Sequence, residues 1–154
     1  MTRVREQWAS RTVWAGITAF TATTGALLAF AYARGGMFVP FARIGRRVAL
    51  NVALPYWGDT LVGMVVHLGQ SLALGALTVL LAGAWPAASR LRAALLVVLC
   101  WQLATIVPWL AVIRVDLSVE LSPIARLGLA VLLVAALAMG QGKRATQEHA
   151  GAEP

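Results

Sequence analysis

Twenty-two consecutive residues, Thr12 to Ala33, carry no charge. As a helix they would extend about 33 Å, enough to cross a hydrocarbon core of about 30 Å. A cleaved signal peptide has a shorter apolar region, about 7–15 residues, so the run is expected to stay as a first membrane span. Three more apolar stretches follow, at residues 61–84, 93–113 and 121–140. Composition agrees: 60% of the chain is hydrophobic, only 12% is charged and the mean hydropathy is +0.77. A soluble domain carries roughly a quarter charged residues, so this chain lacks the material for a water-facing shell. That excludes a soluble enzyme, a disordered chain and a disulfide-built module. The expected fold is all-α, a polytopic membrane protein built as an antiparallel four-transmembrane-helix bundle.

The expected domain plan has a basic segment at 1–11, the transmembrane domain at 12–142 and a disordered tail at 143–154. Short connections after the second and third spans force antiparallel neighbours. The first connection is different. Between residues 36 and 58, Phe38, Val39, Phe41, Ile44, Val48 and Leu54 interleave with Arg43, Arg46 and Arg47. This is too charged to span and too apolar to stay in water, so a short interfacial helix is expected, with a re-entrant segment as the alternative. The three arginines would then contact anionic headgroups.

The net charge is +7, and the arginines sit mainly between the apolar runs. Headgroups rather than nucleic acid are the expected partner of this charge. Arginine outnumbers lysine twelve to one, a composition typical of GC-rich bacterial genomes. An inside amino terminus places seven basic residues in the cytoplasm (Arg3, Arg5, Arg11, Arg90, Arg92, Lys143, Arg144). Six lie opposite (Arg34, Arg43, Arg46, Arg47, Arg114, Arg126). The positive-inside rule then expects both termini in the cytoplasm. The expected location is a bacterial cytoplasmic membrane.

His67 is the one ionisable residue well inside an expected span. Gly63, His67, Ser71 and Gly75 recur every four residues and so share one helix face. Gly63 and Gly75 would let another helix approach closely, while the imidazole and hydroxyl could bond across the contact. Gln70 is adjacent, and Cys100, Gln102 and Thr105 offer partners on the third span. The candidate intramembrane polar site is therefore His67, Gln70, Ser71, Gln102 and Thr105. On the first span, Thr18, Thr21 and Thr24 repeat every three residues. His67 has two readings: a neutral bridge between helices, or a group that titrates in a transport cycle. Asp59, about two turns away, is the only nearby carboxylate for a relay.

Other chemistry lacks its residues. Cys100 is single, His149 lies in the tail, and no CxxC, HExxH, GxSxG or phosphate loop occurs. Asp116 and Glu120 read as a solvated charge cluster. No catalytic, metal or cofactor site is expected.

The stretch Arg34–Phe41, RGGMFVPF, and the second span's VGMVVHLGQSLALG carry a resemblance. They resemble a group of small, mostly uncharacterised bacterial four-helix membrane proteins with a GRGFWTPL-like motif followed by an HxxxSxxxG helix. Gly35, Gly36, Phe38 and Pro40 match the first motif; His67, Ser71 and Gly75 match the second. Pro108 is similar to that group's pattern too. Phe38–Val39 stands where the group has tryptophan and threonine. Ile124–Ala125–Arg126 stands where it often has a second histidine. The resemblance implies a fold and transfers no activity.

The expected function is a non-enzymatic accessory or assembly subunit of a larger membrane complex, docking on a membrane-protein partner or on copies of itself. A small oligomeric transporter or channel with a polar path around His67 is the alternative.

Overall fold

The computed structural model describes residues 2–34, 36–49, 52–84, 89–104 and 121–141. Over these residues the chain is all-α, with five helices. They are α1 (Thr2–Tyr32), α2 (Val39–Val48), α3 (Tyr56–Ala84), α4 (Ser89–Ala104) and α5 (Pro123–Gly140). Three of them contain stretches long and apolar enough to cross a membrane: Gln7–Tyr32, Tyr56–Gly83 and Pro123–Gly140. The third expected span, 93–113, begins within α4, whose 16 described residues rise about 24 Å. Its continuation past 104, with Thr105 and Pro108, lies outside the described residues, as do Asp116, Glu120, Lys143, Arg144 and the rest of the tail.

Helix ends follow local chemistry. α5 starts at a Ser122 cap whose side chain accepts from the Ala125 amide at 3.3 Å, with Pro123 in the first turn. α2 has Pro40 in its first turn and Arg46 and Arg47 in its last, where the helix dipole favours cations. α1 reaches further than its uncharged run. It begins at Thr2, so the basic segment expected at 1–11 is helical from there on.

α1 packs on α3 and α5, and α4 packs on the same two, so these four helices close a ring. Small side chains bring them together. From Ala15 onward every fourth residue of α1 is buried: Ala15, Ala19, Thr23, Leu27 and Ala31. A Cβ at Gly75 would lie 2.7 Å from the Gly16 amide nitrogen, and one at Gly140 would lie 2.6 Å from the Ala15 Cα. With Thr23 beside His67 and Gly16 beside Leu72, α1 and α3 run antiparallel.

α2 packs principally on α3. A Cβ at Gly63 would fall on the Phe41 carbonyl, and one at Gly45 on the Asp59 carbonyl. Moving from 41 to 45 on one helix thus moves from 63 to 59 on the other, which makes the pair antiparallel. Phe41, Ala42, Ile44 and Gly45 are buried, while Arg43, Arg46 and Arg47 are exposed. The apolar face expected to rest in lipid is therefore largely taken up by protein, because two glycines let the backbones touch.

Candidate functional site

The polar groups of the ring converge on His67. Its Nε2 lies 3.0 Å from Thr23 Oγ1. The Thr23 hydroxyl also stands 2.7 Å from the Ala19 carbonyl, which can only accept. The single hydroxyl proton must lie on that short contact, so the hydroxyl accepts from the imidazole. That arrangement matches a neutral ring in its Nε2–H tautomer. Phe20 and Phe41 flank the ring at centroid distances of 5.5 and 5.8 Å, both tilted. Its orientation is held by three helices.

Beside it is a cavity of about 30 Å³ lined by Thr23, His67, Gln70, Ser71, Trp101 and Gln102 among apolar neighbours. That is room for a water or two. Four of the five residues expected to form the polar site, His67, Gln70, Ser71 and Gln102, thus share one cavity wall; Thr105 lies outside the described residues. Gln102 Oε1 accepts from Arg126 Nε at 2.8 Å, which ties α4 to α5 and continues the polar set toward the start of α5. Arg126, counted from sequence only among the basic residues opposite the termini, is thereby part of the interior network. Its signal was its position one turn into an apolar helix, where a charge needs a partner.

Thr23 was also missed. The expected ladder of Thr18, Thr21 and Thr24 follows a three-residue spacing, whereas the α1 contact face advances by four. Thr18 is half-buried, Thr21 is exposed, and Thr24 is buried with its Oγ1 unpartnered. The four-residue series of small residues through Ala15 and Ala19 leads to Thr23.

A second polar contact joins α2 to α3. Arg46 Nε lies 3.2 Å from Asp59 Oδ2, with the arginine 76% exposed and the carboxylate only 2%. Asp59 Oδ1 has no partner. Asp59 occupies the first turn of α3, where the helix dipole favours negative charge. Asp59 and His67 share a helix face, with Gly63 and the Phe41 backbone between them. Arg43 and Arg47 are exposed on the outer side of α2.

Among the described residues, no group of three or more His, Cys, Asp or Glu side chains is placed to hold a metal ion. Comparison with family models, with curated proteins and with solved structures finds no match to this chain.

Proposed function

We propose that the chain is a non-enzymatic accessory or assembly subunit of a membrane complex, acting through its outer helical surfaces. The observation that carries this reading is the use of the interior polar groups. His67 bonds to Thr23 and Gln102 to Arg126, around a cavity of about 30 Å³ that has no room for a solute larger than water. Polar groups spent on neighbouring helices specify the bundle and leave the outside to meet partners. In this proposal α4 continues beyond Ala104 as a fourth span. α2 lies beside α3 with Arg43, Arg46 and Arg47 at anionic headgroups, and both termini face the cytoplasm of a bacterial cell. The partner is another membrane protein or a second copy.

Affinity purification in mild detergent tests the role. A stoichiometric protein partner, or a defined homo-oligomer that passes no ions in liposomes, is the expected result. Proton or solute flux through the purified chain would overturn it in favour of a small transporter or channel around His67. Topology has its own check: reporters fused at the tail and in the loop near residues 84–90 should read the same, cytoplasmic, side. Opposite sides would break the four-span arrangement.

His67 separates the two roles. As a helix bridge, His67→Gln should be mild, because an amide can still donate to Thr23. His67→Leu should lower stability by roughly 1 kcal/mol, the scale of a membrane interhelical hydrogen bond. Thermal unfolding in detergent measures both. Unchanged stability in both variants, with a lost transport activity, would reject the bridging role.

A further inference from the structure

We infer that the cavity beside His67 is a water-binding site, where one or two ordered waters held by Gln70, Ser71 and Gln102 join the four helices of the ring. The inference takes the membrane placement of these helices from the preceding reading and does not need the accessory role. Size sets the first limit. Seating a water takes roughly 10–15 Å³, so a cavity of about 30 Å³ holds two at most and excludes a larger solute. Each helix of the ring supplies part of the wall: Thr23 from α1, His67 and Ser71 from α3, Gln102 from α4 and Leu133 from α5.

Chemistry sets the second limit. An enclosed water is kept by about two to four polar partners. Glutamine amides and the serine hydroxyl both donate and accept, so Gln70, Ser71 and Gln102 can each bond a water in addition to a protein neighbour. Gln102 shows the division of labour. Its Oε1 accepts from Arg126, whereas its amide nitrogen is a donor that a guanidinium, with donors only, cannot use. Ser71 is 2% exposed, so its hydroxyl is out of reach of bulk water. On its outer side the cavity adjoins the cleft between α4 and α5, which shares Gln102 and Ala130 with it and is otherwise apolar apart from Arg126. In a membrane that cleft meets hydrocarbon. A water in the cavity is therefore cut off from the bulk and exchanges slowly.

The test is water-to-methyl cross-relaxation by NMR, on the full-length chain in detergent micelles with its leucine methyls labelled. Leu74 and Leu133 line the cavity, whereas Leu77 is exposed on the outer side of α3. The first two should give cross-peaks with the sign of a slowly exchanging water, and Leu77 should give none. Ser71→Ala removes a hydroxyl that could relay the signal but leaves the space, so the cross-peaks should stay within about twofold of wild type. Ser71→Val fills the space and should weaken them at least about fivefold. Silence at Leu74 and Leu133 in the wild type, or loss of signal in Ser71→Ala, would overturn the inference. So would undiminished cross-peaks in Ser71→Val, or the sign of rapidly tumbling water, which means an open aqueous path. If Ser71→Val does not fold, Ala130→Val fills the cavity from α5 and decides in its place. Cross-peaks at Leu77 as strong as those at Leu74 and Leu133 would show a wetted outer face and overturn the membrane placement as well.

Discussion

Gly63→Val should detach α2 from α3 and cost about 3 kcal/mol, the upper range for overpacking a tight contact. The added side chain would occupy the position of the Phe41 carbonyl, which is backbone and cannot swing aside. Relief requires moving all of α2, and with it the Phe41 ring beside His67 and the Arg46 contact with Asp59. Gly69→Ala supplies the contrast within the same helix. Nothing lies within 4 Å of a Cβ there, so the change should be neutral or add about 0.5–1 kcal/mol through reduced backbone freedom. Unfolding in mixed micelles measures both. Equal midpoints would mean that the α2–α3 contact does not contribute to stability.

Arg46→Ala should cost about 2 kcal/mol, because it leaves the Asp59 carboxylate buried with neither oxygen bonded. The figure stays below that of a fully buried pair because Arg46 is 76% exposed and solvent screens it. The other half of the pair behaves differently. Asp59→Asn removes the buried charge and returns Arg46 to water, so it should cost less than about 1 kcal/mol. Arg46→Ala combined with Asp59→Asn should recover most of the loss. A neutral Arg46→Ala together with a costly Asp59→Asn would reverse the expected asymmetry and refute this account of the contact.

The apolar helices were legible because uncharged length is a property of the sequence alone. Thr12–Ala33 announces a crossing whatever it packs against. The glycine and serine positions of α3 were legible for a related reason, since four-residue spacing fixes which side chains share a face. What they face is a different kind of information. An amphipathic segment such as Phe38–Leu54 reads the same whether its apolar side meets lipid or another helix. The difference lies in Gly45, whose missing side chain leaves no hydrophobic signal. Asp59 read only as the carboxylate nearest His67, and its burial arises from α2 folding over it. Thr23 required the register of α1 against α3, which depends on both sequences at once.

The antiparallel seat of α2 on α3 imposes an order on biogenesis. Gly45 leaves the ribosome eighteen residues ahead of Gly63, a lead of roughly 1–4 s at ordinary rates of synthesis. During that interval Phe41 and Ile44 have no α3 to cover them and can meet only Leu27 and Leu28 of α1. The nascent helix must therefore wait with much of its apolar side uncovered. It becomes part of the fold only when α3 emerges alongside it, so the most extensively packed pair among the described helices is completed from its later member.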